Sequence, residues 1–508
     1  MKLAYTAAML TVVLVTGVRT AHAGDLNPPA GPVGSTMKTL DEVEPRTPLS
    51  QADVPITITE PGSYVLTSSL GPTAGGQTAI TIDASDVTID LRGFGIMPVG
   101  LTAFSRGIAV TGTRANIEIR NGVIRGTFGD GIDTSSANGV RLADLRISNQ
   151  GGRGIEAGTR TMVENVVAHN NFDAGVFVGN NSVIRNTIAE NNGSGFFVGD
   201  GSVIQNCVAS NNGGRGFDIG DDASVTGCSA SDNGGIGILT QENASVANSV
   251  AVRNGAEAGI FLGAGSTASN CAARDNVAVG IETSVGGGIT IVDCSANGNG
   301  SSGFSVASGS TVRDSTARQN DFAGFTLSGG VTATNCTASF NDDDGFSTGA
   351  SCTLVNCTAD NNGQANPRHG FDMGESCTLI GSTASNNSDD GFNLPTGGQA
   401  RNCTSHSNDG DGFFFGFASV ITDNLASENG GNGFHSTGDH SRIIGNQARS
   451  NSGDGFLLPV GASFNLVGRN MTSFDEFNLS STNYIGEINV GVAPSNPMND
   501  DPWANVDS

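Results

Sequence analysis

Apolar positions along the chain recur with a long, even beat. From Gly131 to Gly455 a periodic set of sixteen glycines, each followed directly by Phe, Ile or Val, recurs at intervals of 20 to 25 residues and most often 21. Two residues after this mark stands a second apolar column (Val178, Val198, Ile219, Leu262, Val306, Leu327, Leu394). An i, i+2 pair of this kind predicts a short strand with one face turned inward. A further aliphatic column follows (Val163, Ile184, Ile204, Val225, Val246, Ile291, Val312, Leu354), and two residues on comes Asn, Asp or Gly, types that tolerate a left-handed bend. Then come a small pair, Cys, Ser or Thr with Ala two residues later (Cys207/Ala209, Cys336/Ala338), and an Asn five before the mark (Asn171, Asn191, Asn212, Asn320). Three strands and their bends in about 21 residues describe one coil of a parallel β-helix. One coil cannot bury its own apolar side, so the coils must stack. Stacking sets like over like, which predicts amide ladders of Asn.

With the earlier, less regular marks Ile80 and Ile108 included, the pattern predicts an all-β fold: a single parallel β-helix of about 18 coils with N- and C-terminal caps. The expected segments are a signal peptide (1–23), a proline-rich extended lead-in (24–55), an N-terminal cap (56–74), the β-helix (75–470) and a C-terminal cap or tail (471–508). The last holds the lone Trp503, expected as a cap anchor.

Composition sharpens this picture. Lys2, an apolar run to Val18 and Ala21-His22-Ala23 read as a cleavable export signal, so the product is expected outside the cytoplasm with no membrane span. Removing Lys2 and Arg19 with it moves the formal charge from −25 to −27. That surface repels nucleic acid, anionic lipid and, without a bridging cation, polyuronates. Glycine, 74 of 508 residues, argues against a helical core. Of the nine cysteines, Cys207/Cys228, Cys271/Cys294, Cys336/Cys357 and Cys352/Cys377 fall in matching columns of adjacent coils. That spacing is compatible with disulfides. Ser and Thr fill the same slot in other coils, which suits small buried thiols.

These columns, with Ala79-Ile80-Thr81-Ile82-Asp83 and Val87-Thr88-Ile89-Asp90-Leu91, resemble the right-handed parallel β-helix proteins of the pectin-lyase-like superfamily, in particular secreted bacterial proteins built from generic repeats. The resemblance implies a right-handed coil. It leaves activity open, because lyases, glycoside hydrolases, epimerases, adhesins and tailspikes share the architecture. The Asn-Thr-Asp, Asp-Asp, Gly-His-Gly and Arg-Ile-Lys set of polygalacturonases is missing, as is the Asp-Pro-His-Asp of mannuronan epimerases.

Candidate chemistry gathers where the spacing is widest. The 25-residue interval carries an insertion, Gln364 to Arg368, beside His369-Gly370-Phe371-Asp372. The outward residues of the Gly-Phe strands form a strip, and the residues just before each glycine form a parallel line. Toward the C-terminus that line reads Asp344, His369, Asp390, Asp411, Asn432, Asp454. Asp372, His369, Asp390 and Asp411 are the candidate catalytic residues, since carboxylates and imidazole serve general acid–base work. Arg368, Asn393, His435, Phe177 and Phe197 are the candidate substrate contacts. Asp-Gly before a strand is equally ordinary turn chemistry. Stacked carboxylates would also suit calcium, but neither an EF-hand loop nor a regular G-G-x-G-x-D repeat occurs, so no cofactor and no metal ligand is assigned. Together these features predict a secreted noncatalytic rod, glycan-binding or structural. The alternative is a polysaccharide-active enzyme (lyase, hydrolase or epimerase) working near Asp372.

Overall fold

The computed structural model describes residues 46–255, 257–365, 367–486, 488–490 and 505–507. The signal segment 1–23, most of the lead-in and Trp503 lie outside the described residues. By backbone contacts the chain divides into Met1–Arg46 and Thr47–Ser508. The second unit is a parallel β-solenoid of short strands and turns, its one helical element among the described residues the 3-10 turn Gln51–Asp53, and no helix among them is long and apolar enough to cross a membrane.

Each coil contributes one strand to a sheet of Gly-Phe strands; to a second sheet most contribute two three-residue strands, which run together as one long strand in Ala115–Arg125 and Asn138–Ser148. In one coil the three strands are Ser194–Val198, then Val203–Gln205 and Val208–Ser210. The central residues Ile204 and Ala209 are fully buried. Bends are made by left-handed residues, as at Asn181 (φ 57°), Asn186 (φ 51°) and Asn191 (φ 54°). Asn adopts this conformation at little cost because its short amide bonds locally.

Register is strict. Phe304, Phe325, Phe346, Phe371, Phe392, Phe413, Phe434 and Phe456 pair in turn along the Gly-Phe sheet. Their buried rings stack 4.6 to 4.9 Å apart at 3° to 10°. The glycine before each ring is imposed by the next coil. A Cβ at Gly345 would lie 2.6 Å from the carbonyl oxygen of Gly370 and 2.8 Å from Ala359 Cβ.

That glycine also explains a correction. The sheet holds twenty strands among the described residues, from Ile56–Ile58 to Phe477–Leu479, and the solenoid makes about 21 turns rather than 18. Ile56–Ile58 pairs with Thr78–Ile82, and Phe477 stacks on Phe456 at 5.0 Å. Neither strand carries the glycine mark. Above Phe477 no further Gly-Phe strand is present among the described residues, so Glu476 needs no clearance for its Cβ.

The amide ladder forms, with one member displaced. Each side-chain oxygen accepts the backbone and amide N–H groups of the previous coil, and most amides also donate to an Ala carbonyl of that coil, Asn429 to the Ser405 carbonyl instead. For Asn192 the oxygen accepts from Asn171 N (3.0 Å) and Nδ2 (2.8 Å), and Nδ2 reaches Ala168 O at 3.0 Å. The buried member of this coil is Asn192, and Asn191 is the exposed bend. The ladder keeps a constant offset of three from the Ala column, as in Ala189/Asn192. This coil is 20 residues long, and the missing residue falls between ladder and strand. The same offset adds Asn254 and Asn362. All nine cysteines are free and buried, in line with use of the thiol as a small core filler.

Candidate functional site

The outward strip is continuous: Asp133, Glu156, Phe177, Phe197, Asp218, Leu239, Phe261, Glu282, Ser305, Thr326, Ser347, Asp372, Asn393, Phe414, His435, Leu457 and Asn478 pair in sequence. Beside its C-terminal half, the residues preceding the glycines are linked from coil to coil through one carboxylate or amide oxygen. Asp344 accepts the N–H of His369 (2.8 Å), Asp390 that of Asp411 (2.6 Å), Asp411 that of Asn432 (2.6 Å), and Asn432 that of Asp454 (2.9 Å). Each side chain therefore commits one oxygen to holding the solenoid together, which is ordinary turn chemistry. On the carboxylates a second oxygen remains for other work.

Seven of the nine candidate residues come together here. Asn393 donates to Asp372 at 2.9 Å. Arg368 Nε sits 2.7 Å from Asp343. His435 Nδ1 is 2.6 Å from Asp411 and its ring meets Phe414 edge-on at 5.2 Å. His369 Nδ1 lies 3.8 Å from Asp389 and 3.6 Å from Asp390, without a hydrogen-bond partner. Phe177 and Phe197 do not join them. They stack on each other 5.2 Å apart at 17°, and Phe197 is separated from Asp372 by eight coils, roughly 38 Å at 4.8 Å per coil. The residues expected to form one substrate surface are thus two patches.

Electrostatics separates the acids. Burial pushes Asp390 up to about 6; the N–H of Asp411 and His369 oppose this, and the Asp411 and Asp389 charges add to it. Burial likewise carries Asp344 to about 6, opposed by the His369 N–H and assisted by Asp343 and Asp372. Burial also acts on Asp411, but the His435 and Asn432 hydrogen bonds outweigh it and hold this carboxyl below the ordinary Asp value. With folded values above the unfolded one, Asp344 and Asp390 favour the fold most below about pH 3.8, and this contribution is lost as pH rises through about 6. Asp411 acts oppositely, losing its contribution on acidification. The double variant Asp344→Asn/Asp390→Asn should therefore gain on the order of 1–3 kcal/mol over wild type at pH 7 relative to pH 4. Asn432 already fills the same position, so the change keeps the coil-to-coil acceptor. Denaturant melts at both pH values check this, and parallel curves for the two proteins would refute it.

Two groups of side chains have cation-holding spacing among the described residues: His369/Asp389/Asp390 and Asp130/Asp133/Glu156. The second is all oxygen, as calcium prefers. However, Arg106 lies 3.3 Å from Asp133, and Arg153 lies 2.8 Å from Glu156, so guanidinium groups already supply its positive charge. The first includes an imidazole, a poor calcium ligand and a good one for softer metals.

Sequence reasoning misses the weight of Asp344, which is 4% exposed, and misses Arg153, whose guanidinium lies 4.1 Å over the Phe177 ring. Arg153 occupies the same line as Asp390, before Gly154, and that column position is the available signal.

Among solved structures the chain is similar to the A-module of a mannuronan C-5 epimerase from Azotobacter vinelandii. The identity is 11%, with 88% of this chain and 89% of that one covered and a TM-score of 0.28. It is similar to a periplasmic alginate epimerase at 10% identity, 76% of each chain and a TM-score of 0.22. It is also similar to a tailspike protein of an E. coli bacteriophage at 13% identity, 89% of this chain, 71% of that one and a TM-score of 0.25. No curated protein sequence matches significantly. The family model described as "Right handed beta helix region" matches residues 101–229, 180–338, 267–400 and 327–452, most of the chain. The periodic columns, the parallel register and this match agree, and the chain belongs to the right-handed β-helix family.

Proposed function

We propose that the protein is an exported, noncatalytic rod that binds an uncharged polysaccharide along the face of its Gly-Phe strands. The observation that carries this reading is the outward Phe197 ring, 43% exposed and backed at 5.2 Å by Phe177, whose own ring is covered by the Arg153 guanidinium at 4.1 Å. Aromatic faces take up the C–H faces of sugar rings. The coil rise of about 4.8 Å is comparable to the length of one extended pyranose unit, so a glycan lying along the solenoid axis meets each coil in the same way. The negative charge, −25 over the whole chain, favours a neutral glycan over a polyuronate. Export rests on the signal segment read from the sequence.

A second reading, an enzyme acting on a polysaccharide, is favoured by one observation. Asp390 and Asp411 stand on adjacent coils with carboxyl affinities displaced in opposite directions. Such a split assigns one group as acid and the other as base. Asp390 would donate the proton, Asp411 would accept it, and His369, Asp372, Asn393, Arg368 and His435 would position the chain.

One experiment separates the two: incubation with a panel of neutral and uronate polysaccharides, scoring bound glycan, reducing ends and unsaturated products. The binding reading expects retention of a neutral glycan without product, and a fall of about tenfold in affinity for Phe197→Ala. Product that drops by about a hundredfold or more in Asp390→Asn would replace it with the enzymatic reading.

A further inference from the structure

We infer that a cavity on the turn before the Gly-Phe strands, far from the acidic line, is a separate site that clamps a single neutral pyranose ring. This cavity is an open surface groove with a volume of about 650 Å³, and Phe128 and Phe172 are among the residues that line it. Both rings are exposed, at 65% and 83%. They occupy one column: Gly151 N–H bonds to Thr127 O (2.8 Å) and Phe172 N–H to Gln150 O (3.0 Å), so Phe128, Gly151 and Phe172 follow one another on three consecutive coils. Two coils separate the two backbone positions by roughly 9.6 Å. Inside the solenoid, phenyl rings on adjacent coils stack 4.6 to 5.0 Å apart. Rings projecting side by side from these two positions would leave room over Gly151 for one further ring. Gly151, held too close to the Phe128 carbonyl for any side chain, leaves the slot between the two phenyl positions open to a ligand ring.

The lining identifies the ligand class. No lining residue carries a charge, which disfavours an ionic ligand. The exposed bend residues Asn149, Asn170 and Asn191 line the cavity at one-coil intervals, each held at positive φ. Their amides both donate and accept, as a row of sugar hydroxyls requires, while the two phenyls face the ring's C–H surfaces. A volume within the usual ligand-pocket range is ample for one or two sugar units. The inference shares with the proposed function only the class of ligand; its residues are different.

The test uses the full-length exported chain and three probes, cellohexaose, maltohexaose and laminarihexaose, with affinity measured by titration calorimetry. Phe172→Ala removes one wall at a site whose side chain is mostly in solvent. Asn170→Gly removes an amide and retains the left-handed backbone. Each is expected to weaken binding of at least one probe, by about tenfold for Phe172→Ala, with circular dichroism unchanged. Phe197→Ala reports on the strand face. Loss in Phe172→Ala supports the slot, whether or not Phe197→Ala also weakens binding. Loss only in Phe197→Ala overturns the slot and leaves the strand-face reading standing. No binding of any probe by the wild type, or a Phe172-dependent self-association without sugar binding, overturns it as well.

Discussion

Asn192→Leu should destabilise the solenoid by on the order of 3–6 kcal/mol, while Asn191→Gly, one residue away, should change stability by only a few tenths. Asn192 is 3% exposed and makes four side-chain hydrogen bonds: from Asn171 N and Nδ2, to Ala168 O and to Asn212 Oδ1. Leucine fills a similar volume but strands the Asn171 N–H and the Asn171 amide in a buried environment, and takes from the Ala168 carbonyl one of its two donors. Each such group costs about 1–3 kcal/mol. Asn191 supplies only an exposed left-handed bend, which glycine adopts freely. Chemical denaturation measures the difference. Hydrogen exchange should place the loss in the coils around residues 171 to 212, because a solenoid transmits strain chiefly to its neighbours. Equal stabilities for the two variants would show that the ladder contributes little.

Phe371→Ala is the second large effect, expected near ~3–5 kcal/mol. Its ring is fully buried between Phe346 and Phe392, 4.8 Å from each and tilted by 3° and 9°. Truncation opens a void that neither flanking ring can fill, since each is held in register by its own strand. Phe197→Ala, on the outward side of an equivalent strand, should cost less than about 1 kcal/mol. Thermal melts of the two variants decide the point, and comparable losses would mean that the outward rings also contribute to the core.

Asn192 and Phe371 differ in how legible they are in the sequence. Phe371 is marked by the glycine before it, and that glycine is demanded by the next coil's carbonyl; the mark and the burial have one cause. Counting back from Phe196 points to Asn191 instead of Asn192, because this coil is short between the ladder and the strand. The true anchor is the Ala column, whose offset of three is kept, whereas the count from Phe196 crosses the segment whose length varies. The end coils Ile56–Ile58 and Phe477–Leu479 read as caps in the sequence for a related reason: they lack the glycine mark.

The candidate site divides along the same line. Periodicity alone ordered Asp372, Asn393 and His435 along one strip and His369, Asp390 and Asp411 along another, since register in a solenoid follows from spacing. Three other features depended on packing in three dimensions: the upward displacement of Asp390 and Asp344, the pairing of Asp411 with His435, and the open slot between Phe128 and Phe172. Desolvation and the reach of side chains between coils are set by the turns, whose lengths drift as the coils vary from 20 to 25 residues and leave no period to count. Architecture belongs to the repeating positions because burial there is collective. Chemistry belongs to the irregular ones, where local shape decides which groups lose water and which meet.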